Sequence, residues 1–125
     1  MERVSLTLTT TAAGAATGYT SPVTGFVHAI TYVPGTFATG ADLVFTGNTS
    51  GIAIVTVTNL GTSAVTIAPR LATATVANAA ALYAAAGTAV LDRIPVYDEA
   101  IKVVMTDGGN AATGTFHIYI DNPRY

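Results

Sequence analysis

The chain has 125 residues, seven acidic and five basic side chains, and no cysteine, which excludes a disulfide framework, a thiol nucleophile and a thiolate metal site. A chain of this length buries roughly two thirds of its unfolded surface, so we expect residues 1–125 to form one domain without a stabilising metal. A net charge of −2 with scattered Lys and Arg argues against binding nucleic acid through its phosphates, and no apolar run approaches the ~20 residues of a membrane helix.

The first third of the chain predicts two strands. Residues 4–11 alternate apolar and hydroxyl side chains, which is typical of a half-buried strand. We expect no cleaved secretory signal before them, and residues 12–18 are small and turn-like. A second strand is predicted over residues 23–33. One of its faces is expected to carry Phe26, His28, Ile30 and Tyr32.

The middle of the chain predicts a hairpin. Residues 41–46 and 52–59 are strand-like, and the Gly-containing segment 47–51 separates them. The apolar alternation slips between Ile54 and Val55, which indicates either a bulge or a strand covered on both faces. A central strand is the simplest interpretation. A short strand over residues 64–68 follows.

Residues 71–87 form a long connection that is rich in alanine. The part from residue 76 to residue 87 has high helix propensity and ends in glycine, but its only large apolar side chains are Leu82 and Tyr83. The segment is therefore either a short helix or a long crossing loop between two sheets.

The C-terminal third, residues 91–120, predicts a meander of three antiparallel strands separated by turns rich in Gly, Asn and Asp. Pro95 indicates an edge strand or a bulge. His117 and Tyr119 are expected on the face of the last strand opposite its apolar residues. About eight strands with this spacing predict an all-β fold, an antiparallel β-sandwich resembling a jelly roll, with a closed barrel as the alternative.

The sequence contains no recognisable catalytic or metal-binding motif, and we expect no enzyme activity and no cofactor. His28 and His117 are the only histidines, and they are unaccompanied by cysteine. Asp98 and Glu99 are adjacent on a predicted turn, where neighbouring side chains usually diverge. The serines lie in no nucleophile-elbow pattern.

The low number of charges suggests that part of the surface is covered by other molecules. Twelve charges on a folded surface of about 6,200 Å² are few for a soluble monomer. Either the 22 threonines solvate the strand faces, or other copies or a larger partner cover part of the surface, since interface cores contain little Lys, Glu and Asp. We favour assembly as at least part of the explanation. The candidate interface residues are Phe26, His28, Tyr32, Tyr83, Lys102, His117, Tyr119, Arg124 and Tyr125.

Several segments of the sequence resemble a family of small virion proteins of tailed bacteriophages, which tend to be encoded among head genes. These segments cover most of the chain in order and comprise residues 20–30, 69–70, 80–94, 101–104, 108–111 and 113–117. Residues 35–66 resemble the family least. The matching segments are predicted strands and turns, so the resemblance carries over no active-site residue.

The resemblance implies a structural protein of the capsid or its neck. Our first hypothesis is a capsid decoration or cement protein, assembled in the bacterial cytoplasm, that binds the major capsid protein or a neighbouring virion protein, with a trimer at three-fold positions as the favoured oligomer. The alternatives are a carbohydrate-binding, adhesin-like module that uses the aromatic face, and a component of the neck or tail.

Overall fold

Residues 1–72, 87 and 91–122 are described by a computed structural model of the chain. These residues form eleven strands and include no helix, and therefore no helix that could cross a membrane. The segment for which a helix or a loop was predicted, residues 76–87, lies outside the described residues except for Gly87. The candidate interface residues Tyr83, Arg124 and Tyr125 lie outside them as well.

Most of the strands form two antiparallel sheets. The five-stranded sheet contains β1 (Glu2–Thr9), β3 (Val23–Val33), β6 (Val65–Ile67), β9 (Ile94–Glu99) and β11 (Thr113–Asp121). The four-stranded sheet contains β2 (Ala16–Tyr19), β4 (Asp42–Gly47), β5 (Ala53–Val57) and β10 (Ile101–Thr106). Two short strands, β7 (Leu71–Ala72) and β8 (Leu91–Asp92), pair with each other.

The strand order is that of a jelly roll. The five-stranded sheet has the order β1-β11-β3-β6, with β9 also paired to β3, and the four-stranded sheet has the order β2-β10-β4-β5. The first strand thus pairs with the last and the second with the last but one. The chain crosses from one sheet to the other except between β4 and β5 and between β6 and β9. Two Greek keys wound together give this order. The predicted all-β sandwich is confirmed.

The prediction of a C-terminal meander is wrong. Strands β9 and β11 flank β3 on opposite sides in the five-stranded sheet, whereas β10 lies in the other sheet between β2 and β4. The Gly- and Asp-rich turns do reverse the chain, but each reversal carries it from one sheet to the other. Turn residues determine where a chain reverses and do not determine which strand becomes its neighbour.

Two local predictions also need correction. Residues 16–18, expected within a turn, belong to β2, which pairs with β10. Strand β5, expected to be central, pairs only with β4 among the described residues. The slip in its alternation is a bulge, the alternative to the central strand that we favoured, because Phe45 is opposite Val55 and Thr46 is opposite Ala53, so that Ile54 has no partner.

The core lies between the two sheets and is centred on aromatic residues. Phe116 is fully buried, and its ring centroid lies 5.5 Å from that of Tyr32, 6.1 Å from that of Phe37 and 5.6 Å from that of Phe45. Phe45 approaches edge-on and comes from the four-stranded sheet. Buried Ile, Val, Leu and Met side chains from both sheets surround this group as one cluster.

Strand β3 changes the face that it presents to the core at His28. Tyr119 is opposite Ala29 and Ile120 is opposite Val27, so His28 has no partner on β11. This bulge reverses the alternation: Val27 and Ile30 are both buried, and His28 is exposed. The guanidinium of Arg70 donates a hydrogen bond of 3.3 Å to the carbonyl of His28.

A buried carboxylate joins the β4–β5 hairpin to the end of β9. Oε1 of Glu99 accepts hydrogen bonds from the backbone N–H of Thr49 at 2.9 Å, from that of Ser50 at 3.0 Å and from Oγ of Ser50 at 3.2 Å. A Cβ on Gly47 would lie 2.6 Å from this oxygen, so only glycine leaves room for the carboxylate. The donors lower the pKa of Glu99 below its usual value, with the N–H of Ser50 contributing most.

Replacing Phe116 tests the aromatic core. Phe116→Ala removes a fully buried ring, so we expect the free energy of unfolding to fall by about 3–5 kcal/mol in urea denaturation. The neighbouring side chain of Thr115 points outward, and Thr115→Ala, which removes its hydrogen bond to Thr7, should lower it by no more than about 1 kcal/mol. Equal effects of the two changes would contradict the burial of this strand face.

Glu99 should make stability depend on pH. Because its pKa is lower in the folded than in the unfolded chain, its contribution is complete above the ordinary value of 4.5 and is lost as the pH falls through the folded-state pKa. Glu99→Gln should therefore lower Tm at pH 7 and flatten the fall of Tm below about pH 4.5.

Asp98→Asn is the matched control, because the adjacent Asp98 is exposed. It should leave the acid dependence of Tm nearly unchanged. If Glu99→Gln and the unmodified chain differ in Tm by the same amount at pH 7 and pH 3, the carboxylate does not have this role.

Candidate binding surface

The outer face of the five-stranded sheet consists of cross-strand rows. Along β11, the buried side chains of Phe116, Ile118 and Ile120 alternate with outward ones, as predicted. Each outward residue of β11 from Thr113 to Tyr119 is opposite an outward residue of β1, and most are also opposite one of β3. The rows closest to the β1 C-terminus carry hydroxyls, and the rows at the opposite end carry aromatic rings together with the charged side chains of Arg3 and Asp121.

The first part of this face, which we call the hydroxyl rows, is held together by pairs of side chains. Hydrogen bonds join Thr7 to Thr115 at 3.1 Å, Thr9 to Thr113 at 2.6 Å and Thr31 to Thr66 at 3.0 Å. Ser5 and His117 form the remaining pair, with 2.7 Å between Oγ and Nδ1. Val33 completes the row of Thr7 and Thr115. None of these side chains is an Asp, Glu, Lys or Arg.

The contact between Ser5 and His117 could not be anticipated from a separation of 112 residues. A serine hydroxyl next to a histidine is a feature of nucleophilic catalysis, which also requires a group that orients the histidine and donors that stabilise an oxyanion. Here the pair lies on the outer face of the sheet. Thr7 is the next outward residue along β1, and Thr31 of β3 is opposite His117. The geometry of Ser5 and His117 is that of a cross-strand polar pair.

The other part of the face, which we call the aromatic end, contains Phe26, Pro95, Tyr97 and Tyr119. Phe26 is opposite both Asp121 and Pro95 in the ladder, and Tyr119 lies one row away on β11. Tyr97 is 82% exposed, which is unusual for so large a ring. A shallow cleft of about 240 Å³ opens here. Its lining consists of Thr24, Gly25, Phe26, Pro95, Val96, Tyr97 and Asn122.

Three interactions fix the walls of the cleft. The guanidinium of Arg93 lies 4.6 Å from the centre of the Phe26 ring and forms an ion pair with Asp121. Oγ1 of Thr24 accepts a hydrogen bond of 3.0 Å from the N–H of Asp98. Gly25 has a φ of 142° and lies so close to β11 that a Cβ would be 2.6 Å from the carbonyl oxygen of Asp121.

The structure distributes the predicted interface residues over three places. Phe26, His117 and Tyr119 share the outer face of the five-stranded sheet, and His28 is exposed in the bulge of β3. Lys102 lies on the outer face of the other sheet, opposite Tyr19 and Thr46.

The expectation that Tyr32 shares an exposed face with Phe26 is wrong. Tyr32 is 1% exposed, and its ring stacks on Phe37 and Phe116. The bulge at His28 is the physical reason, since an inserted residue sends every later side chain of the strand to the opposite face. Burial in the core also raises the pKa of the Tyr32 hydroxyl.

Sequence reasoning missed Tyr97, Arg93 and Asp121. All three belong to the aromatic end, and Tyr97 is its most exposed ring. The alternation of Pro95 and Tyr97 with the buried Ile94 and Val96 was a usable signal for an outward face of β9. Only the pairing of β9 with β3 shows that this face continues the row of Phe26.

The acidic side chains of the described residues do not form a metal site. No group of three or more His, Asp or Glu side chains in residues 1–72 and 91–122 is arranged to hold a metal ion. Asp98 and Glu99, predicted on a turn, are the last two residues of β9. Their side chains diverge, but only Asp98 is exposed, whereas Glu99 is buried.

A double-mutant cycle tests the ion pair at the aromatic end. The side chains of Arg93 and Asp121 are 35% and 34% exposed, so solvent screens their attraction. Replacing each by alanine, singly and together, should give a coupling free energy of about 0.2–1 kcal/mol in urea denaturation. The coupling should shrink in 1 M NaCl. A coupling unaffected by salt would contradict an exposed pair.

Comparisons with known proteins leave the function to be argued from this geometry. The chain matches no model of a protein family, no characterised protein and no solved structure. The structural features that bear on function are the jelly-roll order of the strands, the uncharged hydroxyl rows and the cleft at the aromatic end.

Proposed function

We propose that this chain is a structural protein of a bacteriophage virion, of the capsid decoration type, and that it binds the protein shell through the hydroxyl rows. The observation that carries the proposal is the outer face of the five-stranded sheet, on which Ser5, Thr7, Thr9 and their partners provide no charged side chain. Burying such a face in a protein contact avoids the cost of removing ions from water.

The hydroxyl rows provide part of one side of such a contact. Strands lie about 4.8 Å apart, and successive residues on one face of a strand about 6.8 Å apart. The nine positions of the hydroxyl rows therefore cover roughly 300 Å² before side-chain relief is counted. A standard protein interface buries about 800 Å² per partner. The hydroxyl rows thus form an uncharged centre for the contact, and the adjoining surface supplies the rest.

The outer face of the four-stranded sheet is less suited to this role. It carries the amine of Lys102 among Tyr19, Val44 and Thr46. A charge at the centre of a contact needs a matched partner, whereas hydroxyls can pair with many groups. We therefore assign the shell contact to the hydroxyl rows of the five-stranded sheet, since the charged side chains of Arg3 and Asp121 lie at the other end of that face.

The specific role rests on the resemblance to small bacteriophage virion proteins together with this face. A decoration protein acts through many copies, each adding a modest interface between shell subunits, so that the sum resists the pressure of packaged DNA. A trimer at the three-fold positions of the shell belongs to the same proposal, as does assembly in the host cytoplasm.

A charge placed in the hydroxyl rows tests the contact. Thr115→Lys adds an unpaired charge at an outward position, so it should weaken binding to shells that lack the protein by at least about tenfold in a co-sedimentation assay. Thr17→Lys is the matched control, because Thr17 is exposed on the outer face of the other sheet. It should bind like the unmodified chain.

Two outcomes would overturn the proposal. One is equal binding of Thr115→Lys and the unmodified chain to the shells. The other is that saturating the shells with the unmodified chain leaves their heat resistance unchanged. A copy number of about a dozen or fewer per particle, in place of the hundreds that shell symmetry provides, would assign the chain to the neck or tail.

A further inference from the structure

The cleft at the aromatic end is not explained by shell binding through the hydroxyl rows. It lies at the opposite end of the face, where Tyr97 leaves 82% of its surface exposed. An exposed aromatic ring contributes little to folding, and rings of this kind are enriched where proteins bind other molecules. The walls of the cleft are fixed before any ligand arrives, by Gly25, by the Arg93–Asp121 ion pair and by the hydrogen bond from Asp98 to Thr24.

The dimensions of the cleft limit its ligand to one ring-sized group. A volume of about 240 Å³ is smaller than the ~300–1,000 Å³ of pockets that enclose drug-sized molecules. The cleft is also open to solvent, so a longer molecule can place one unit in it while the remainder extends outward. One unit of a chain therefore fits this site better than a free cofactor.

The polar groups around the cleft favour a ligand that both donates and accepts hydrogen bonds. Asn122 offers an amide, which donates and accepts, and the hydroxyl of Tyr97 does the same. The lining of the cleft contains no charged side chain, and Arg93 and Asp121 beside Phe26 pair with each other, so the lining favours a neutral ligand. A pyranose has an apolar C–H face for an aromatic ring and a belt of hydroxyls for these groups.

We propose that the cleft between Phe26 and Tyr97 binds a neutral pyranose unit of a glycan. The glycan site expected from the sequence included His28 and Tyr32, but Tyr32 is buried and the exposed ring here is Tyr97. A proline or an aliphatic side chain would pack on the rings of the cleft. It would form no hydrogen bond with the amide of Asn122 or with the ion pair of Arg93 and Asp121. The inference does not depend on the proposed function, because it concerns the isolated chain.

The experiment is a titration of the isotope-labelled chain, observed by NMR through its backbone amides. The probes are the methyl glycosides of glucose, galactose, mannose and N-acetylglucosamine, with a polyproline peptide as the competing ligand class. We expect saturable shifts at Thr24, Tyr97 and Asn122 with at least one glycoside. Millimolar affinity is expected, because one ring offers few contact atoms.

Tyr97→Ala should weaken this binding by about tenfold, because the ring provides the stacking surface. Tyr19→Ala is the matched control: Tyr19 is 52% exposed but lies on the other sheet, so its loss should leave glycoside affinity unchanged. Both tyrosines are exposed, and an unchanged amide spectrum away from the substituted residue verifies that each variant folds.

Three results would overturn the inference. They are no saturable shift with any of the four glycosides, equal glycoside affinity of Tyr97→Ala and the unmodified chain, and shifts at the cleft with polyproline alone. None of them bears on binding to the shell, which is measured with different variants, so the two proposals can fail separately.

Discussion

Strand β3 holds the five-stranded sheet together, and its bulge at His28 decides which aromatic residues enter the core. Its first half pairs with β9 and its second half with β6, while β11 runs along its other edge. Without the inserted residue, Phe26 and Tyr32 would lie on the same face. With it, Tyr32 stacks on Phe116 in the core and Phe26 remains outside, beside the cleft.

The sequence predicted the features that depend on neighbouring residues. The alternation in β1 and β11 and the β4–β5 hairpin follow from local patterns, and both are present. The same patterns showed an irregularity at Ile54 but did not decide between a bulge and a central strand. The pairing of distant strands does not follow from such patterns, which is why the meander was wrong and why the contacts between Ser5 and His117 were missed. Both faces of β3 contain apolar residues, so its bulge does not interrupt a visible alternation in the sequence. Tyr32 was therefore predicted on the wrong face.

The hydroxyl rows and the aromatic end lie at opposite ends of one sheet face and differ in chemistry. Each end suits a different kind of binding partner. The hydroxyl rows satisfy one another across the strands and carry no charge, which suits a broad protein contact. The aromatic end has exposed rings, a neutralised ion pair and a small cleft, which suit one unit of a glycan. A particle-bound copy can use both ends at once only if the cleft stays clear of the shell.

The proposed function requires a defined orientation of the chain on the particle, which electron cryo-microscopy of decorated shells would show. We expect density for the jelly roll on the outside of the shell, with the hydroxyl rows of β1 and β11 against shell subunits and Tyr97 facing solvent. Density in which β1 and β11 face solvent while the four-stranded sheet contacts the shell would contradict this orientation.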